Sequence, residues 1–259
     1  MTQNERRQLL IQALLRERPE YQDDDIPAEA ESQRQLLRGL MNIRAPRDIG
    51  TDFLKIQDEY LEEETAARGV TDISDLKPVQ PGLYLWKGDI TTLRCDAIVN
   101  AANSGMTGCY IPNHRCIDNA IHTFAGVELR LACAQLMEKQ GYPEPTGQAK
   151  ITPAFNLPCK YVLHTVGPVV SGRVTKRDEN LLSSCYRSCL ELAAENQLES
   201  MAFCCISTGE FHFPNELAAR IAVETVKEFM NTKSSVSKVI FNVFKDLDRK
   251  IYAGLLGAD

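Results

Sequence analysis

Two thiols and an imidazole crowd into one short loop, Gly108-Cys109-Tyr110-Ile111-Pro112-Asn113-His114-Arg115-Cys116. Thiolate sulfur and imidazole nitrogen are the ligands Zn2+ prefers. A sulfur, nitrogen, sulfur set from one loop leaves the fourth tetrahedral position open to water or substrate. Structural zinc sites are usually closed, so Cys109, His114 and Cys116 point to chemistry. Pro112 stiffens the bend that must bring the three together. A structural zinc would instead recruit a fourth protein ligand from elsewhere, and His122 is the candidate.

The remaining thiols and imidazoles read differently. Cys133, Cys185, Cys189, Cys204 and Cys205 fall in helical or buried-strand patterns, where free cysteine packs as a small hydrophobe. Cys95 and Cys159 have no assignment. His122 follows Asp118 by one helical turn and His164 ends an apolar strand, so both read as hydrogen-bonded structural histidines. The loop Ser207-Thr208-Gly209-Glu210-Phe211-His212-Phe213-Pro214 lies between a strand and a helix. A small, glycine-containing turn there offers backbone N–H groups and a positive helix end to an anion. Read alone, it is equally a plain connection.

Elements that position these loops can be read from periodicity. Leu9, Leu10, Ala13 and Leu14 form a helical stripe up to Arg18-Pro19, and Leu36, Leu37, Leu40 and Met41 form another, ended by Ala45-Pro46. Asp52 caps a third helix carrying Phe53, Leu54, Ile56, Tyr60 and Leu61. The acidic runs Asp23 to Asp25 and Glu62 to Glu64 read as solvated faces. From Pro78 onward, strands over 82–87, 97–100, 149–152, 161–165, 200–207 and 238–243 alternate with helices over 118–138, 178–195, 214–230 and 246–255. That alternation is an α/β signature, and it sets the loops after Asn100 and Ile206 at the carboxyl ends of strands, where such folds bind ligands.

A chain of 259 residues with 44% hydrophobic content buries one full core and carries an appendage. A net charge of −6 opposes a grip on phosphodiester backbones, so nucleic acid is not an expected partner. Nine cysteines, an opening of Met1-Thr2-Gln3-Asn4-Glu5-Arg6 and the lack of a long apolar run predict reduced thiols, no membrane association and a cytoplasmic location.

Five motifs occur in one order: Gly88-Asp89-Ile90; Asn100-Ala101-Ala102-Asn103; Asp118-Asn119-Ala120-Ile121-His122; Leu163-His164-Thr165-Val166-Gly167-Pro168; and Ile206-Ser207-Thr208-Gly209 followed by Pro214. Together they resemble the macrodomain family, which binds ADP-ribose. The resemblance implies a three-layer α/β/α macrodomain with a mixed central sheet over residues 77–259, preceded by a small helical extension over 1–76 that it does not cover. Where macrodomain hydrolases usually carry a run of glycines, this chain has Cys109 to Cys116. In that it is similar to the zinc-dependent class, found in microbes beside a sirtuin-type ADP-ribosyltransferase and a lipoyl-carrier protein related to the glycine cleavage H protein.

Carried over by motif, the resemblance implies that Asp89 meets the adenine amino group with Ile90 beside it, and that Asn103 holds the distal ribose. It brings Cys116, Ile117 and Asp118 to the diphosphate and distal ribose from the metal side. Ser207, Thr208, Gly209, Glu210 and Phe211 would wrap the diphosphate, with Phe211 over a sugar and Phe244 as a stacking face for adenine. Asn103 and Asp118 are the expected catalytic pair, with Zn2+ taking over part of the work of Asp118. The implied activity is hydrolysis of mono-ADP-ribose from protein side chains. A carboxylate leaving group is already a stable anion and demands little of a general acid, which favours aspartate and glutamate acceptors. A module that only reads ADP-ribose needs no open metal site, whereas an O-acetyl-ADP-ribose deacetylase would use the same pocket.

Overall fold

The N-terminal stripes fold as three helices, α1 (Gln3–Arg16), α2 (Ala30–Ile43) and α3 (Thr51–Arg68). In the computed structural model, residues 1–21 and 25–258 are described. Helix α1 opens with a capping box between Thr2 and Glu5. Gly50 is the cap of α3, and Asp52 stands in its first turn, where its charge complements the positive helix end instead of capping it. Leu9 is 41% exposed, so the buried stripe of α1 is Leu10, Ile11, Leu14 and Leu15. These pack with Leu37, Leu40, Phe53 and Tyr60 and, from beyond the extension, Val127. Each fully buried leucine or isoleucine contributes about 1.5–3 kcal/mol, which keeps the three helices docked. Of the two acidic runs, Glu62 and Glu63 are exposed and Glu64 is half-buried, Asp25 is exposed, and Asp23 and Asp24 lie outside the described residues.

Next come β1 (Thr71–Asp72), β2 (Leu83–Lys87), β3 (Leu93–Arg94), β4 (Ala97–Ala102), α4 (Ile117–Ala125), α5 (Val127–Gln140), β5 (Ala149–Pro153) and β6 (Tyr161–Val166). The chain closes with α6 (Lys176–Glu195), β7 (Ser200–Phe203), α7 (Asn215–Met230), β8 (Lys238–Val243) and α8 (Asp246–Leu256). Strands β1 and β3 pair in parallel and tie the extension to the α/β region. The main sheet has the order β2-β8-β7-β4-β6-β5, parallel throughout except for β5 against β6. It is the mixed central sheet, with helices on both faces, that the resemblance implies. Strand β4 is apolar at nearly every position because helices cover both faces of a parallel sheet. The loops after β2, β4, β6 and β7 leave by the carboxyl edge and carry the motifs, and β8 leads at the same edge to Phe244.

Two expectations need correction. The single helix over 118–138 is broken at Gly126, whose φ of 95° and ψ of 175° stop α4 and start α5. Gln57 of α3 fills the break: its Oε1 accepts from Val127 N at 2.9 Å, and a Cβ on Gly126 would sit 2.6 Å from its Nε2. Strand β7 ends at Phe203 instead of Ser207, because Cys204 to Ile206 turn out of the sheet and Ser207 takes a φ of 65°.

Candidate active site

Strand β4 delivers Asn100 to the centre of the site and Asn103 to its edge. Asn100 Nδ2 donates to Asp118 Oδ1 at 2.8 Å, and Asn103 Nδ2 donates to Asp118 Oδ2 at 3.2 Å. Asp118 is 6% exposed, and burial raises its pKa to about 6 against the opposing pulls of Asn100, Arg130 and Asn103. It is a carboxylate fixed by two amides and poised near neutrality. Asn100 Nδ2 also lies 3.2 Å from His164 Nδ1. An amide nitrogen only donates, so His164 Nδ1 is the acceptor and Nε2 carries the proton, facing Thr152 Oγ1 at 2.9 Å.

The loop from Gly108 to Cys116 starts beside this network. Cys109 Sγ lies 3.6 Å from His114 Nδ1, and one donor atom from each of Cys109, His114 and Cys116 lies within 4.8 Å of the other two. A tetrahedral zinc with nitrogen and sulfur ligands wants ligand atoms roughly 3.3–3.8 Å apart, so the three residues fit the ion with little movement. Cys116 also caps α4, its Sγ accepting from Asn119 N at 3.4 Å. Burial pushes its thiol up to about 12, with Cys109 and Asp118 adding to the rise and the Asn119 N–H opposing it. A cation at that spot is what would offset such a rise and hold the thiolate. His122 is not a fourth ligand of this group; its ring falls in a separate buried cluster with Cys133 and His164. Nor is it hydrogen-bonded as expected. Both of its ring nitrogens are buried without a hydrogen-bond partner, and Nε2 stands 3.6 Å from Asp118 Oδ1.

The loop after β7 closes the far side. Phe213 N donates to Ser207 O at 2.9 Å, and Val170 N to Phe211 O at 2.9 Å. Among the described residues, the N–H groups of Gly209, Glu210 and Phe211 find no hydrogen-bond partner, which leaves a row of donors for an anion. Ser207 Oγ is buried and unpaired. Glu210 Oε1 stands 3.8 Å from His114 Nε2, so this loop meets the Cys109 to Cys116 loop directly. Asp89, after β2, caps a short 3-10 turn by accepting from Thr91 N at 2.9 Å. Ile90 is 1% exposed, its side chain turned into the core, which leaves only its backbone to face a ligand. Ile117 is half-buried in the first turn of α4, and Phe244 is 75% exposed past β8.

Sequence reasoning missed Arg38, Asn42, Arg68 and Arg130. Arg130 Nη1 donates to the carbonyl oxygens of Asn42 and, at 2.8 Å, Arg44, capping the end of α2, while Nη2 reaches Cys109 O at 3.3 Å. A guanidinium is suited to such open carbonyls, but nothing in the local pattern of α5 announces it.

Residues 99–222 match the Macro domain family model. The chain is 58% identical to a protein-ADP-ribose hydrolase of Treponema medium, over 99% of this chain and 100% of that protein. It is 46% identical to one of Staphylococcus aureus, over 98% and 96% of the two chains. The crystal structure of a Trypanosoma brucei macrodomain in complex with ADP-ribose superposes with a TM-score of 0.66 at 31% identity, covering 85% of this chain and 95% of that one. No helix among the described residues is long and apolar enough to cross a membrane.

Proposed function

The chain belongs to the macrodomain family, and we propose that, like the relatives named protein-ADP-ribose hydrolases, it hydrolyses ADP-ribose from proteins, as a zinc-dependent enzyme removing mono-ADP-ribose from aspartate and glutamate side chains. The observation that carries the reading is the gathering of Cys109, His114 and Cys116 within 4.8 Å at the first turn of α4, beside Asp118. A module that only reads ADP-ribose has no use for an incomplete sulfur, nitrogen, sulfur set.

Cys109, His114 and Cys116 would hold the zinc, which when bound would supply positive charge at the reacting centre without a matched acid and base pair. The chain's own residues do the rest. Asp89 takes the adenine amino group, and the free N–H groups of Gly209, Glu210 and Phe211 take the diphosphate. Asn103 and Asp118 orient the distal ribose, Asp118 being held by amides on both oxygens so that it does not swing away. Phe211 covers the sugar and excludes water. An acid-linked substrate leaves as a carboxylate, which needs no proton to depart, so none of these residues has to serve as a general acid. The macromolecular partners of this reading are an ADP-ribosylated lipoyl-carrier protein related to the glycine cleavage H protein and the sirtuin-type transferase that modifies it, in the cytoplasm.

Metal analysis of the purified protein, with hydrolysis of an acid-linked ADP-ribosylated protein before and after chelation, tests the reading. One zinc per chain and loss of turnover restored by Zn2+ are expected. Full activity without metal would overturn it.

A further inference from the structure

The metal loop is held at four of its residues by side chains from outside it. Arg130 Nη2 donates to Cys109 O at 3.3 Å, and Asn119 Nδ2 to Ile111 O at 3.0 Å. Asn42 Oδ1 receives Asn113 N at 2.9 Å, and Arg38 Nη2 donates to His114 O at 3.0 Å. The last two residues belong to α2, well outside the segment matched by the family model.

Arg38 does more than touch the loop. Its Nε and Nη2 also fork onto Asn119 Oδ1 at 3.2 and 2.7 Å, so one guanidinium ties the carbonyl of His114 to the turn of α4 that Cys116 caps. Asn42 is 1% exposed and bridges Asn113 N to Thr123 Oγ1, the latter at 3.0 Å. Gly39, between them, lets the corner of the loop approach: a Cβ there would lie 3.3 Å from Asn113 Nδ2 and 3.7 Å from Pro112 Cβ. Asn113 has a φ of 56° and is pinned at its N–H, so the left-handed corner of the loop is seated on α2.

We infer that helix α2 is a structural half of the metal centre, with Arg38 and Asn42 as positioning residues that hold Cys109, His114 and Cys116 at ligating distance. The inference rests on the zinc reading above. Three ligands drawn from one loop bind well only if the loop is ordered before the ion arrives, because disorder in the free loop is subtracted from affinity. Partners behind metal ligands typically govern affinity by ten- to a hundred-fold. Lysine at position 38 would not substitute, since its single ammonium lacks the planar fork that spans two acceptors.

Full-length R38A, R38M, R38K and N42A proteins, with R34A as a control at an exposed position one turn earlier in the same helix, are titrated with Zn2+ against a chromogenic chelator. Amide exchange over residues 109–119 is measured on the metal-free forms. Expected are a zinc Kd raised roughly ten- to a hundred-fold in R38A, R38M and N42A, no rescue by R38K, no change in R34A, and faster exchange confined to the loop. R38M keeps the aliphatic stem in case R38A folds poorly. Wild-type zinc affinity and wild-type loop protection in folded R38A or R38M would overturn the inference. If the wild-type protein itself binds no zinc, the zinc reading fails on its own, and the exchange data still decide whether α2 orders the loop.

Discussion

Arg68, the last residue of α3, sets its Nη1 2.7 Å from Asp89 Oδ2 and lays its guanidinium over Phe124, 3.5 Å from the ring centroid. The other carboxylate oxygen, Oδ1, accepts from Thr91 N at 2.9 Å and Thr91 Oγ1 at 2.7 Å. Asp89 is therefore fixed from both ends, one of them by the extension, and Oδ2 keeps a lone pair that a further donor can use, the adenine amino group in the proposed reading.

Asp89→Ala is expected to weaken ADP-ribose binding by about 1.5–3 kcal/mol, the worth of a hydrogen bond to a charged group, with zinc content unchanged. It also strips the cap from the short turn after β2, so a small loss of melting temperature accompanies it. Asp89→Asn keeps an oxygen for Thr91 and should lose affinity with little loss of stability. Calorimetry giving wild-type affinity for both variants would remove Asp89 from the site.

Gly167→Ala should act on the Ser207 loop from behind. A Cβ at Gly167 would lie 2.1 Å from Ser207 Oγ and 2.9 Å from Ile206 Cγ2. Ser207 already sits at a φ of 65°, so it has little freedom to yield. Overpacking of this kind costs about 1–3 kcal/mol, and the expected result is a folded protein with ADP-ribose affinity down roughly ten-fold or more. Unchanged affinity would mean that the Ser207 loop does not touch the ligand.

The parts of the site that were legible in the sequence share a reason. Cys109, His114 and Cys116 stand in one loop and are the residue types zinc selects, while Asp89, Asn103 and the Ser207 turn follow strands whose apolar runs are plain. The parts that were not legible depend on distant partners. Arg38 and Asn42 look like the polar face of an amphipathic helix, and only the docking of α2 on α4 shows that they are packed against the loop. The break at Gly126 is hidden because Ala125 and Val127 continue an apolar pattern, and the side chain that seals it, Gln57, is in another helix. The pairing of Arg68 with Asp89 depends in the same way on where α3 ends.

Acid should destabilise the fold through the buried imidazoles. Burial lowers the pKa of His164 to about 3 and that of His122 well below its ordinary 6.5. Unfolded, both rings take up a proton near pH 6.5, whereas the folded chain leaves them neutral. Their contribution is therefore intact above pH 6.5 and drains away as pH falls towards 3, by up to about 1.4 kcal/mol per pH unit for each ring. His164→Asn keeps an acceptor for Asn100 and removes the titration. Urea unfolding at pH 7.5, 6 and 5 should show a shallower loss for this variant than for the wild type, and parallel slopes would rule the account out. Asp118, whose pKa is raised, acts in the opposite sense in both proteins and so drops out of the comparison.

Cys116 separates a working zinc from a structural one, because it caps α4 and in the proposed reading is also a ligand. Cys116→Ser retains an oxygen for Asn119 N, and serine is a good cap, so the helix end costs little to rebuild. It removes a thiolate, however, and a hydroxyl is a poor zinc ligand at neutral pH. If the metal serves the reaction, Cys116→Ser should lose zinc and hydrolysis of acid-linked ADP-ribose together while melting close to the wild type. Cys116→Ala should behave alike in activity and lose in addition about 1 kcal/mol from the cap. Asp118→Ala is the companion: it leaves the three ligands in place, so zinc should stay bound while turnover falls, because the ribose is no longer oriented by a carboxylate fixed between Asn100 and Asn103. A large fall in melting temperature for Cys116→Ser, equal to that seen on chelating the wild type, would instead assign the zinc to the fold.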